Sequence, residues 1–372
     1  MHLTGWPDEP PLAPRDDVLA GARAAAERVP GADAARELFG RAALAGFQRA
    51  GRSSMGGACR LLRAADGWVA VSLARPDDLA AVAAIVERDG PSEEPWDALT
   101  DYAASRSARA VADRAQLLDV PVGLLGERSR APITVTALGD PVREPPPRPL
   151  VVDLSALWAG PLCARLLGMN GARVVAVESD ARPDPSRRSM PEFHAQLRAG
   201  HERVRVDFTS VAGRDQLLAL LRAADVVIEA ARPRALRRLD IDAEALVAER
   251  PGRTWVSITA HGRTGTDADR VGFGDDAAVA GGLVAWDVRD EPVFCGDAIA
   301  DPLTGMYAAS AALASFAKGG GALVAVAMRD VVAHAMATGG PMAEHEIVAA
   351  GSGAWLVRAD GCEAPVRPPA RP

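Results

Sequence analysis

The chain has 372 residues, and 42 Lys+Arg against 49 Asp+Glu give a formal net charge of −7. A hydrophobic fraction of 48% and a charged fraction of 24% are those of a globular protein and exclude wholesale disorder, and the length is ample for two domains of roughly 100–200 residues each. The acidic balance argues against a nucleic-acid binder. Lys318 is the only lysine, every other basic residue being arginine, a skew that reads as coding bias before it reads as chemistry.

Residues 1–48 form a helical lead in which Leu19, Ala22 and Ala26, then Leu38, Ala42 and Phe47, recur at helical spacing. The proline-rich, acidic first ten residues lack the basic stretch and apolar run of a secretory leader, so a cytoplasmic protein is expected. No run of about 18 apolar residues occurs, so no membrane association is expected either. Over 49–138 the text is that of a small α+β domain. It starts with a hairpin over 61–73 turned at Asp66-Gly67, continues with helices over 76–87, 96–105 and 107–118, and closes with a strand over 133–136.

Residues 139–149 contain Pro145-Pro146-Pro147 and read as a stiff linker without core contribution. From 150 to 335 short apolar strands alternate with helices: strands over 150–154, 173–177, 204–208, 225–229, 254–259 and 322–327, helices over 159–170, 210–223, 233–239, 242–248 and 301–317. That alternation predicts an α/β fold, a Rossmann-like, doubly wound, mostly parallel sheet. The stretch after 259 reads as a glycine-rich loop, and 336–372 as a tail with one strand over 355–358 and an extended end.

An open sheet of this kind binds its ligand where strand C-termini meet helix N-termini. The first such turn, Ser155 to Pro161, lacks the G-x-G-x-x-G dinucleotide fingerprint. Glu178 ends the second strand, either as a ribose-binding acid or as a solvated strand end. Arg232, Arg234, Arg237 and Arg238 crowd a strand-to-helix junction, and Arg198, His201, Arg203 and Arg205 form a second basic stretch. Such clusters suit a ligand with several phosphates or a solvent face. Asp275-Asp276 is a glycine-flanked acidic pair, either buried with raised pKa values or part of an ordinary loop. Asp301-Pro302 opens a helix, with Asp301 as N-cap, a place where a carboxylate also sits among amides able to stabilise an oxyanion. Cys59, Cys163, Cys295 and Cys362 form no C-x-x-C pair, and the histidines no H-E-x-x-H, so no metal site is expected.

Val151-Val152-Asp153-Leu154-Ser155, Ala159-Gly160-Pro161, Gly171-Ala172-Arg173-Val174-Val175 and Val177-Glu178 together resemble the opening of the family III CoA-transferases (CaiB/BaiF), which include formyl-CoA transferase and α-methylacyl-CoA racemase. The likeness continues in order through 204–207, 224–229, Arg232-Pro233, Arg238, 256–259, Asp301 with Thr304-Gly305, and 324–330. The small unit is similar to a region that follows the Rossmann-like part in typical members, so the order here looks permuted. Two departures stand out: the family's Asn-Arg-Gly-Lys loop is Arg198-Ala199-Gly200-His201, and Phe273-Gly274 replaces the histidine and aspartate of racemases.

The resemblance implies that Asp301 is the nucleophile of an acyl-CoA:carboxylate CoA-transferase acting through aspartyl anhydride and thioester intermediates, with Asp275 and Asp276 as further acids. It implies that Leu157, Trp158 and Ala159 line the CoA entrance, Glu178 and Val206 the nucleotide edge, Arg238 a phosphate, and that Met328 packs near the thioester. Acyl-CoA and an acceptor acid would be substrates, no cofactor would be permanently bound, and the protein would be a homodimer. Racemase chemistry and a weakly catalytic CoA-binding subunit are the alternatives.

Overall fold

The structure is a computed structural model describing residues 2–90, 94–127, 129–351, 354–359 and 361–371. Helices α1 (Val18–Ala26) and α2 (Ala34–Ala45) open it. Each starts where an aspartate accepts a first-turn amide, Asp17 from Ala20 and Asp33 from Arg36, both at 3.0 Å, satisfying donors that a helix leaves open. Their apolar faces do not stand apart: Val18, Ala22 and Leu38 share one core with Leu162, Leu166, Leu303 and Met306.

Strands β1 (Cys59–Ala64) and β2 (Gly67–Ser72) form the expected hairpin, and β3 (Val122–Leu124) adds antiparallel to β2. Helices α3 (Pro76–Ile85), α4 (Pro95–Ala104) and α5 (Ala108–Leu117) cover it around a core that includes Val69, Val71, Ile85 and Leu99. Strand β4 (Ile133–Ala137), read from sequence as closing this unit, instead pairs antiparallel with Ala322–Val326 at the edge of the large sheet. A five-residue strand carries no mark of its partner in its own periodicity, and this one spends four of its residues on solvent.

The large sheet comprises β4, β5 (Leu150–Asp153), β6 (Arg173–Glu178), β7 (Glu202–Arg205), β8 (Val226–Glu229), β9 (Thr254–Thr259) and β12 (Ala322–Ala327). The hairpin of β10 (Val284–Trp286) and β11 (Pro292–Phe294) is separate. The spatial order of the large sheet is β4-β12-β9-β8-β5-β6-β7, parallel throughout except for β4. Leaving β5, the chain builds outward through β6 and β7, then returns to the other side for β8, β9 and β12. The direction of winding therefore reverses between β5 and β8, which is where such sheets open a ligand crevice. Adjacent residues of one strand feed opposite layers: Val151 packs with Leu162 and Val324, Val152 with Leu217 and Trp255, as period-2 alternation in a sheet covered on both faces requires.

The covering helices are α6 (Ala159–Met169), the short α7 (Ser186–Ser189) and α8 (Pro191–Leu197), α9 (Val211–Ala223), α10 (Pro233–Arg237), α11 (Ala243–Glu249), α12 (Gly274–Ala280), α13 (Ala300–Ala317) and α14 (Met328–Gly339). Among the described residues no helix is long and apolar enough to cross a membrane.

Besides the placement of β4, four sequence expectations change. The stretch after 259 contains α12 and the β10–β11 hairpin, which the glycines had hidden. The segment 139–149 is not a free spacer at its start, because Gly139 and Val142 donate to Gly321 and Gly319 at 3.0 and 2.8 Å. Strand β7 begins before the expected 204–208. The tail forms a three-stranded antiparallel sheet, β13 (Glu346–Ala349), β14 (Trp355–Ala359) and β15 (Cys362–Pro365).

Candidate active site at the mouths of two helices

The crevice opens on a loop that leaves β5. Asp153, fully buried, accepts from Ser155 N at 2.8 Å and from the Ser155 hydroxyl, and pairs with the guanidinium of Arg198. Arg198 also donates to the Ser155 carbonyl at 2.7 Å. The chain then bends at Leu157, whose φ of 67° is the left-handed region that a leucine enters only when its surroundings fix it. Its N–H points to both Asp184 oxygens at 3.3 Å, and Asp184 is in turn held by Ser186. Trp158 follows, buried edge-on to Phe193 at 5.1 Å between ring centroids, and α6 starts without a side-chain cap. Its first amides are therefore free for another partner.

That partner is Asp301. Sequence reasoning placed it as an N-cap; the helix instead begins at Ala300, with Ile299 in the uncapped position, so Asp301 lies inside the first turn of α13. It thus closes no turn of its own. The Ala159 N–H at the start of α6 acts on its carboxylate, lowering its pKa. Gly274, first residue of α12, faces it so closely that a β-carbon there would lie 2.2 Å from Asp301 Oδ2.

Asp275 and Asp276 sit in the first turn of α12, not in a loop. Asp275 Oδ1 accepts from Ala298 N at 3.0 Å, and Asp276 accepts from Ser72 Oγ at 2.8 Å and from Phe273 N at 3.0 Å. Ser72 belongs to β2, so the small sheet supports this pocket directly. Asp297 completes the group: Arg41 of α2 donates from Nη2 to its Oδ1 at 3.0 Å, and Arg41 Nε lies 2.9 Å from its Oδ2.

Crowding of buried acids governs their ionisation. Burial pushes Asp301 up; Arg41 and the Ala159 amide pull it down, Asp275 and Asp297 push it further up, and its pKa comes to about 7. Burial, with Asp297 next, takes Asp275 to about 6. Burial also takes Asp276 to about 8 against the opposing bonds from Ser72 and Phe273.

Farther along the crevice, a cavity of about 670 Å³ is lined by Leu154, Ser155, Glu178, Arg203, Arg205 and Arg238, among others. Burial alone would raise Glu178, but the Asp184 amide and the Arg187 guanidinium outweigh it and hold the carboxyl below its ordinary range. The arginine cluster at 232–238 divides. Arg232 and Arg234 both bond Asp119 of the small unit, at 2.6 Å each, whereas Arg238 is exposed on the cavity wall.

Of the residues read from the sequence, Asp301, Asp275, Asp276 and Ala159 meet in one pocket, with Leu157 and Trp158 forming the turn that delivers Ala159. Glu178 and Arg238 line the cavity. Val206 does not: it is buried in the apolar cluster behind the cavity wall, with Val177 and Leu236, which do line it. Met328, at the start of α14, lies in the apolar cluster that also holds Ala298, Ile299 and Leu303. His201, a candidate to replace the family's lysine, has both ring nitrogens buried without a partner among the described residues, and burial lowers its pKa to about 4. Arg198 is committed to Asp153. Sequence reading missed Arg41 and Asp297, for nothing links them along the chain.

Residues 150–354 match the sequence profile described as CoA-transferase family III. An acyl-CoA transferase of Fusarium pseudograminearum is 28% identical over 44% of this chain and 40% of the relative. A succinyl-CoA–D-citramalate CoA-transferase of Chloroflexus aurantiacus is 31% identical over 45% of each. The crystal structure of a CaiB/BaiF family protein from Brucella suis is 31% identical, covering 50% of this chain and 53% of that one with a TM-score of 0.44. The chain spans about half the length of the curated relatives it matches.

Proposed function

We infer that this chain, which belongs to CoA-transferase family III, moves coenzyme A from an acyl-CoA donor to a carboxylate acceptor through covalent intermediates on Asp301. The observation that carries the reading is the setting of that carboxylate: crowded by other acids, facing the uncapped start of α6 and the Gly274 backbone, with its pKa raised to about 7. A nucleophile with a pKa near the working pH is half ionised and still basic enough to attack.

Each step then has its groups. The Asp301 carboxylate attacks the thioester carbonyl; the C–S bond breaks, leaving an acyl–aspartyl anhydride and CoA thiolate. The thiolate attacks the aspartyl carbonyl, releasing the first acid as carboxylate and leaving an aspartyl thioester. The acceptor carboxylate attacks that thioester to give a second anhydride and thiolate. Attack of this thiolate on the acceptor carbonyl forms the new acyl-CoA and returns Asp301 as carboxylate. No proton or electron is consumed overall.

Each tetrahedral intermediate places an oxyanion beside Asp301, and amides at a helix mouth such as Ala159 stabilise such charge. The apolar surround of Trp158, Ile299 and Met328 would keep water from the anhydride. In the cavity, Arg238, with Arg203 and Arg205, supports binding of the nucleotide phosphates. The Chloroflexus relative's name points to dicarboxylic acids as a first panel of donors and acceptors. We take the enzyme to act in the cytoplasm as a homodimer, as the family resemblance implies. Racemisation would need a base where Phe273 stands.

Incubation with succinyl-CoA and other acyl-CoAs, followed by intact mass measurement, should give a hydroxylamine-sensitive adduct that Asp301→Ala abolishes. CoA binding with neither adduct nor exchange would sink this reading, and deuterium entering the α-carbon would favour racemisation.

A further inference from the structure

Two supports hold Asp301 in place: the turn that precedes α13 and the start of α6. One side chain touches both. Arg41 bonds Asp297 in that turn through Nη2 at 3.0 Å, with Nε 2.9 Å from the second oxygen. Its guanidinium carbon stands 4.8 Å from the ring centroid of Trp158, the residue that opens α6, and 5.9 Å from that of Phe47. A planar cation set between two rings and anchored by a carboxylate keeps few rotamers. The turn is pinned on its other side as well, where Ala298, at a φ of 45°, donates to Asp275.

We propose that Arg41, carried by the N-terminal helix α2, is a positioning residue of this pocket: it fixes Asp297 and Trp158 on either side of Asp301 and supplies the positive charge that keeps the nucleophile ionisable among neighbouring carboxylates. The helix lies outside residues 150–354, so the family match assigns it nothing.

Electrostatics requires such a cation. Asp275 and Asp276 approach from α12 and Asp297 from the turn before α13. A buried carboxylate among others stays neutral unless a cation compensates it. The groups that face Asp301 are Arg41 from α2, Asp275 and Asp276 from α12, Asp297 from the turn and the Ala159 amide from α6, and Arg41 is the cation among them. Ionised Asp301 is the attacking form, so removing Arg41 should raise its pKa and move the acid limb of transfer upward by the same amount.

The proposal rests on Asp301 being the nucleophile only for its consequence in catalysis; the test reads the carboxyl itself. In substrate-free protein, the carboxyl infrared band lost in Asp301→Asn is followed against pH. We expect Arg41→Gln to raise its midpoint by a pH unit or more, Arg41→Lys to restore most of that shift, and Asp297→Asn to lower the midpoint. Opposite movements from two variants of one ion pair cannot come from general loosening of the fold. An unchanged midpoint in Arg41→Gln, or shifts of the same sign in Arg41→Gln and Asp297→Asn, would overturn the proposal. If the midpoints move as expected but the wild type forms no adduct with any acyl-CoA, the proposed function fails and the role of Arg41 stands.

Discussion

The acid pocket and the cavity beside it use the same residue types to opposite ends. In the cavity, Glu178 is held below its ordinary pKa because the Asp184 amide and Arg187 outweigh a partial burial. In the pocket, Asp275, Asp276 and Asp301 rise to about 6, 8 and 7 because burial there outweighs the compensation offered. Asp276 accepts from two groups, Ser72 and Phe273, just as Glu178 accepts from Asp184 and Arg187; depth of burial, more than the number of donors, separates a surface that holds anions by exposed arginines from one that keeps a nucleophile poised.

If the pocket is a rigid assembly, its packing residues should matter most. Trp158→Ala should cost about 3–5 kcal/mol of stability, as large-to-small changes at buried aromatics do, read as a lowered denaturant midpoint with unchanged slope. Gly274→Ala should displace Asp301 and also push on the Ala298 carbonyl, 2.6 Å from the added β-carbon, so it lowers stability as well as rate. A shift of about 1 Å costs on the order of 10²-fold in rate, here in the transfer constant measured with succinyl-CoA. A stability loss in Trp158→Ala no larger than that of an exposed alanine substitution would mean that the pocket is not held rigid by its packing.

Asp301 must be ionised to attack, and its folded pKa is raised to about 7, so kcat/KM should be flat above that value and fall about tenfold for each pH unit below it. Linkage carries the same sign into stability: three raised carboxylates bind more protons folded than unfolded, so their contribution is fully present below the unfolded pKa of 3.8 and is lost as pH rises through about 6 to 8.

The smallest effect belongs to the cavity. Arg238→Ala should weaken acyl-CoA binding roughly tenfold, the loss of one charge-assisted contact, with kcat unchanged. The difference should shrink as salt screens it, while the pH limb of the pocket holds its position.

The sheet was legible because β5, β6, β8, β9 and β12 are short apolar runs separated by helices; the order of its strands, with β4 antiparallel at the edge, was not. Helix α12 was not legible: Gly274-Asp275-Asp276 reads as loop chemistry, and only burial against the small sheet makes it a helix start. Asp301 was found by resemblance, but its displacement from the cap was not, since Ile299 gives no sign of opening a helix. Arg41 could not be found at all, because its partners lie on elements far along the chain and a helical arginine is by default a solvated one.

Strand β4 bears on how this protein can be taken apart. The family match starts at residue 150, which invites cutting the chain in the proline-rich segment before it. Such a cut would strip β12 of the partner it pairs with along 322–326, exposing a row of unpaired amides and carbonyls of the kind that recruits other chains into aggregates. The stretch that matches the family is therefore smaller than the piece that keeps β12 paired, and a dissection meant to yield the reaction pocket has to begin upstream of Ile133.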